Sequence, residues 1–347
     1  MVSDIVDGHK GRRWTPPAPR ELPAVRTALA EHMRNPYQLE LTARTLAAGK
    51  GALVPPGSPH QAAAILLDEE HQRLRTADLY YLTEDMSELV RVAGLDVPGF
   101  RLEREDVPAP TGFMLFASPV GGYGSDRDGD ISRVEIVACS WGDTSMQTKR
   151  DGVWVTFWCP TDKAGIVEEF ARDNGIRRAD AERIVRTVGA ELTWENEAFL
   201  PFGCETLNLV EHNRKLATPG ASAMPWVQSL RAAWLLMRQP GVTEVEQHRP
   251  SRQQQRRAKR DGFAAGDVAV VRLRAQLTGD RPDGETADAA RARTVRWMVR
   301  GHWRQQPYGP QRSLRRPVWI NPHLKGPQGA PLASKEKVIL VDQPVSI

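Results

Sequence analysis

The stretch DGVWVTFWCP, Asp151–Pro160, decides the fold class. It is apolar, alternating, and rich in β-branched and aromatic residues, and Pro160 closes it, so it reads as a strand. Two shorter apolar runs before it, TGFMLFASPV at 111–120 and SRVEIVACSWG at 132–142, read the same way. GGYGSDRDGD between those two reads as a loop by composition.

Outward from these strands the period changes to that of helices. Upstream, Leu22, Val25, Leu29 and Met33 recur at spacings of three and four. A second helix opens on Pro36 and stops at Gly49 and Gly51, and a third, capped by Ser58, is read through ADLYYL. A fourth runs from Thr83 to Gly94, so residues 20–95 are expected to be mostly helical. Downstream, TDKAGIVEEFARDNG and RRADAERIVRTVGA predict two helices, ELTWENEAFLPFG is strand or loop, and ETLNLVEHNRKLA and PWVQSLRAAWLLMRQ are helical again. The last stretches, VAVVRLRAQL, TVRWMVRGHWRQQ, RRPVWINPHL and EKVILVDQPV, predict four strands.

The reading is therefore an α+β protein. An arm at 1–20 precedes a helical N-terminal region at 21–110 and a mixed α/β region at 111–247. A basic linker at 248–262 then leads to a small basic antiparallel β-domain at 263–347. At 347 residues, two or three domains are the prior. No apolar run approaches the roughly 20 residues of a membrane span, and MVSDIVDGHKGRRW has no apolar core of a secretory signal. Three widely spaced cysteines, Cys139, Cys159 and Cys204, suit buried thiols in a reducing, cytoplasmic setting rather than a disulfide framework.

The net charge of +4 hides an asymmetry. Residues 249–337 hold 20 Lys and Arg against 7 Asp and Glu, which points to a polyanion-facing module. The densest part is VRGHWRQQPYGPQRSLRRPVWINPHLKGP, Val299–Pro327, which contains no acid. Alternation sets Val295, Trp297, Val299, Gly301 and Trp303 on one face and Arg296, Met298, Arg300, His302 and Arg304 on the other. Three readings follow. Arg300, Arg304, Arg315, Arg316 and Lys325 bind phosphates, with Tyr308 stacking on a base. Alternatively, His302 and His323 act as base and acid of a metal-independent ribonuclease or toxin-like enzyme, meeting across a hairpin. In the third, the tryptophans Trp297, Trp303 and Trp319 form a small core whose arginines meet only water.

Other motifs carry less. GGYGSD lacks the spacing of a dinucleotide loop. Asp126, Asp128 and Asp130 start like a calcium loop, but Ile131 stands where glycine is needed and Val137 where glutamate is. No metal or cofactor is expected. EEFARDNGIRRADAERIV has the outline of a helix-turn-helix, yet Asp180 and Glu182 at the start of the second helix would repel phosphates. A simple helical hairpin is the better reading.

The pattern GHWRQQPYGPQRSLRRPVWINPHLKGP followed by EKVILVDQ resembles an uncharacterised family of actinobacterial phage and mobile-element proteins. ADLYYLTEDMSELV and PAPTGFMLFASPV are similar to segments of the same proteins, so the likeness runs from about residue 60. It implies a mobile-element setting and no particular activity. The expected function is thus accessory nucleic-acid binding, with the ribonuclease as one alternative. The other is a protein-interaction or virion component whose basic third meets an acidic protein partner.

Overall fold

A computed structural model describes residues 14–49, 54–127, 130–145, 151–188, 190–204, 223–264, 266–274 and 297–325. Helices α1 (Leu22–His32), α2 (Pro36–Ala47) and α3 (Pro59–Thr76) lead into β1 (Asp78–Leu82) and α4 (Glu84–Leu95). Next come β2 (Gly112–Phe116), β3 (Gly121–Arg127), β4 (Asp130–Ile136), β5 (Ala138–Gly142) and β6 (Gly152–Pro160). Two helices, α5 (Lys163–Asn174) and α6 (Arg178–Val188), separate β6 from β7 (Leu192–Pro201). The chain continues through α7 (Met224–Met237), β8 (Thr243–His248), α8 (Arg252–Arg260) and β9 (Val268–Leu273). Four short strands follow, β10 (Trp297–Val299), β11 (His302–Tyr308), β12 (Leu314–Ile320) and β13 (His323–Lys325). This is the α+β fold that the sequence implies.

Seven strands form one mixed sheet in the order β7-β6-β5-β2-β1-β9-β8. β1 is an interior strand, parallel to both of its neighbours, β2 and β9. The remaining pairings are antiparallel. Alternation sorts the side chains into two cores. Leu79, Tyr81, Phe113, Leu115, Trp154, Trp158, Val268 and Val270 pack under α1–α3. Tyr80, Leu82, Met114, Phe116, Trp141, Val155, Phe157, Ala269 and Val271 pack under α4 and α7. Tyr80 stacks on Trp141 at 5.5 Å between ring centroids, and Trp141 meets Trp234 of α7 edge-on at 5.5 Å. The result is a three-layer sandwich.

Two sequence expectations change here. ADLYYL, expected to continue the third helix, instead supplies the interior strand β1. The helix ends at Thr76, and Ala77 is already extended. A short apolar run with no polar face fits a buried strand as well as a buried helix, and tertiary burial on both faces decides it. The glycine-rich stretch, expected to be a loop, pairs as β3 with β4. Its glycines mark close approach: a Cβ on Gly121 would lie 2.4 Å from the Trp226 ring. ELTWENEAFLPFG, open between strand and loop, is β7. β9 lies between β1 and β8, its residues Val268–Val271 all buried. The segments ETLNLVEHNRKLA and EKVILVDQPV lie outside the described residues.

A polar cluster sits inside the α3 face. Buried Glu70 accepts hydrogen bonds from Thr156 Oγ1 (2.9 Å), Arg73 Nε (2.9 Å) and the Ser140 hydroxyl. Trp158 Nε1 donates to Ser140 Oγ at 2.9 Å and Trp154 Nε1 to Thr156 Oγ1 at 3.0 Å. The carboxylate thus ties α3 to β5 and β6 with its hydrogen-bonding capacity well used. The three cysteines are buried and free, and burial pushes the Cys139 thiol well up. Among the described residues no helix is long and apolar enough to cross a membrane.

α4 crosses α7 at a point of backbone contact. A Cβ on Gly94 would lie 2.8 Å from the Ser229 Cα. Gly94→Ala gains about 1 kcal/mol of helix propensity but forces the helices apart, which costs about 1–3 kcal/mol. The expected outcome is a lower urea midpoint with an unchanged m-value.

Candidate nucleic-acid interface

The acid-free stretch folds as two ladders. β11 pairs with β12 and β10 pairs with β13, the break falling at Arg300 and Gly301. Gly301 is required there, since a Cβ would lie 2.5 Å from the Trp319 ring. Within β11 the expected alternation holds. Trp303 turns inward, opposite Trp319, and the two rings meet edge-on at 5.3 Å. Trp319 is 7% exposed and joins the core beneath α4 and α7, with Trp303 packed against it. These two tryptophans seat the hairpin on the body of the protein.

The seat lies at the C-terminal ends of α4 and α7. Trp303 Nε1 donates to the Ala93 carbonyl at 2.8 Å, and the Trp319 amide donates to Gln239 Oε1 at 3.0 Å. A buried carboxylate adds the main electrostatic tie. Asp106, with a side chain 3% exposed, accepts Arg316 Nη2 at 2.9 Å and Arg238 Nη1 at 3.2 Å on one oxygen. Its other oxygen accepts the Glu103 amide at 3.0 Å. Arg231 of α7 also feels this charge. It stacks on Phe100 at 3.9 Å and donates Nη2 to the Phe100 carbonyl at 2.7 Å. Burial pushes its pKa down to about 9, and Asp106 opposes that shift.

The sequence-derived candidates take distinct places around this seat. Arg300, Arg304 and Arg315 are exposed. Arg304 Nη2 donates to Gln306 Oε1 at 2.7 Å, and Arg315 Nη1 donates to the Arg312 carbonyl at 2.7 Å. Arg316 is half-buried and committed to Asp106, and its guanidinium carbon lies 5.2 Å from the Tyr308 ring centroid. Tyr308 is 39% exposed. His302 is exposed, and its Nδ1 lies 3.0 Å from the Arg300 carbonyl, to which Nδ1–H donates. His302 stands opposite Ile320 and His323 opposite Val299, in different ladders. Lys325 stands opposite Trp297.

Sequence reasoning missed Asp106, Arg238 and Arg231. Asp106 comes from the loop after α4, and nothing local in EREDVPAP marks it as the partner of arginines at 238 and 316. The basic stretch 248–262, open between a solvated linker and an exposed helix end, contains a regular helix. Ser251 caps α8 by accepting the Gln254 amide, with Gln254 reciprocating. None of α8's basic residues is buried, and its Ala258 touches the core under α1–α3. The basic third therefore presents cations on both outer layers of the sandwich.

The opposite end of α4 is acidic. Two adjoining hollows of about 490 and 470 Å³ lie at the carboxyl ends of β1 and β2. Glu84, Asp85, Glu88, Ser118, Glu135 and Trp14 are among their lining residues. The acids at the first turn of α4 and the basic hairpin at its last turn both complement the helix dipole. Among the described residues no group of three or more His, Cys, Asp or Glu is placed to hold a metal ion. The α5–α6 pair is a poor phosphate reader. Arg177 and Arg183 both pair with Asp180, and Arg178 pairs with Glu168 and Glu182.

The family model AcrVA2-like, described as anti-CRISPR type V subtype A2 family, matches residues 134–325. A comparison with curated proteins finds no match.

If Asp106 anchors the hairpin, Asp106→Asn leaves Arg238 and Arg316 without their carboxylate. Because both arginines are partly exposed, the expected cost is about 1–3 kcal/mol. The urea midpoint should fall, and limited trypsin digestion should cut first after Arg312 or Arg315, since Pro317 protects the bond after Arg316.

Proposed function

The chain belongs to the AcrVA2-like anti-CRISPR type V subtype A2 family, whose model covers more than half of it, and we propose a function on that premise. The protein is an anti-CRISPR accessory protein of a phage or mobile element that contacts nucleic acid through its basic C-terminal third. One observation carries the nucleic-acid part. Arg252, Arg256 and Lys259 on α8, and Arg300, Arg304, Arg312 and Arg315 on and beside the hairpin, are exposed. None of them is ion-paired among the described residues. Unpaired surface cations gain the most from phosphate, because neutralising it releases condensed counterions. Guanidinium groups also match phosphate geometry in a bidentate way. CRISPR interference runs through guide RNA, a heteroduplex and a displaced single strand, so such a surface has a polyanionic target at each stage.

A second reading, docking to a basic protein segment, is favoured by the acidic hollows beside Trp14. Their carboxylates would repel phosphate, so this surface and the basic one call for different partners.

Retention on heparin and fluorescence anisotropy with an oligonucleotide test the first reading. On single strands the affinity should fall with salt at a log–log slope of about −0.7 per phosphate contacted. Neutralising Arg252, Arg256 and Lys259 to Ala should flatten that slope by about 2. It should also reduce protection of a phage against a type V system in a plaque assay. An absence of retention at low salt would overturn the nucleic-acid reading, leaving the family assignment untouched.

A further inference from the structure

We infer that the tip of the β11–β12 hairpin is a stacking platform for unpaired nucleotides, with a base on Tyr308 and flanking phosphates on Arg312 and Arg315. This rests on the nucleic-acid reading above and narrows it to single strands.

The first observation is the support behind the ring. Tyr308 ends β11 opposite Leu314, and both side chains are large and exposed, at 39% and 47%. The Arg316 guanidinium lies over the Tyr308 ring, and Asp106 holds that guanidinium in turn. A chain of contacts from a buried carboxylate thus fixes an exposed aromatic ring. A ring held in this way loses little freedom when a base stacks on it.

The second observation is the turn. After Gly309 (φ 75°) and Pro310, two consecutive non-glycine residues adopt the left-handed region, Gln311 at φ 50° and Arg312 at φ 57°. L-residues hold such angles only where their surroundings enforce them, and such residues cluster at binding and switch sites. Here the enforcement is a set of local hydrogen bonds. The Arg312 amide donates to the Gly309 carbonyl at 3.1 Å and the Ser313 amide to the Pro310 carbonyl at 3.1 Å. Arg315 Nη1 donates to the Arg312 carbonyl at 2.7 Å and the Leu314 carbonyl at 3.2 Å. The tip buries nothing in return, since Gly309 to Arg315 are all exposed. Its strained shape instead carries two arginines beside the ring.

The third observation is charge. From Tyr308 to Arg316 there are three arginines and no acid, so the tip attracts phosphate. Single strands are favoured over duplex because stacking needs the open face of a base, which a duplex covers. Base–aromatic stacking also tolerates any sequence, which suits a contact built on one ring.

The test uses the full chain with two fluorescent probes, an oligothymidylate and the oligodeoxyadenylate–oligothymidylate duplex of the same length. Anisotropy should show the single strand bound about tenfold more tightly, the size expected of a stacked base. Tyr308→Ala should remove most of that preference while leaving duplex affinity in place, and Tyr308→Phe should retain it. Arg312→Ala with Arg315→Ala should weaken both probes and flatten the salt slope. A urea midpoint for each variant separates lost contact from lost folding. Independently of any variant, an oligonucleotide carrying 5-iododeoxyuridine should photo-cross-link to the peptide that contains Tyr308. If both probes bind equally and Tyr308→Ala matches the wild type at an unchanged midpoint, the platform is overturned and the phosphate reading stands. A cross-link that maps only elsewhere also overturns the platform. If neither probe binds, both readings fall.

Discussion

The central sheet has no solvent face across β1, β2 and β5, and that constraint organises the rest of the molecule. Every strand residue from Gly112 to Phe116 and from Ala138 to Gly142 is buried. A sheet of this kind must be covered on both sides by the chain itself. Helices α1–α3 cover one side. Helices α4 and α7 cover the other, and the two tryptophans of the C-terminal hairpin extend that cover. The hairpin's position is therefore a consequence of core burial. Its exposed cations are carried to where Trp303 and Trp319 find apolar partners.

Electrostatics then refines what burial places. Asp106 receives two arginines from distant parts of the chain, one from the end of α7 and one from β12. Removing a carboxylate at that depth leaves cations uncompensated, so the pair resists separation even where its net contribution to stability is small. The same tie carries through Arg316 to the ring of Tyr308. A residue that the sequence offers as a phosphate ligand is thereby used as a brace, and around the hairpin the exposed cations left for a partner among the described residues are Arg300, Arg304, Arg312 and Arg315. Along α4 the charges separate, with acids at its first turn and the basic hairpin at its last. The molecule thus offers two surfaces of opposite sign on the same layer, about 18 Å apart at 1.5 Å per helical residue.

Much of the local structure was legible in the sequence. The helical periods of α1 and α2, the Ser58 cap, the alternation of β6 and the inward and outward faces of β11 depend on short-range rules. They survived into the fold because the tertiary context agrees with them. The errors fall where burial on two faces erases the pattern. After Asp78, LYYL has no clearly polar position to mark a period, so its strand state emerges only once β2 and β9 flank it. The glycines of β3 signal close approach to Trp226, and composition alone cannot separate that role from a loop.

The sequence by itself determined the fold class, the run of helices and most strands, the acid-free basic stretch near the C-terminus, and the resemblance to mobile-element proteins. These rest on composition and on periods of two and 3.6 residues, which are properties of neighbouring positions. Only the tertiary structure decided that β1 lies inside the sheet between β2 and β9, that Asp106 binds Arg238 and Arg316, and that His302 and His323 lie in separate ladders. Those facts depend on contacts between residues as much as 210 positions apart. Charge and burial act through space, and one-dimensional patterning carries no record of which distant carboxylate will meet which guanidinium.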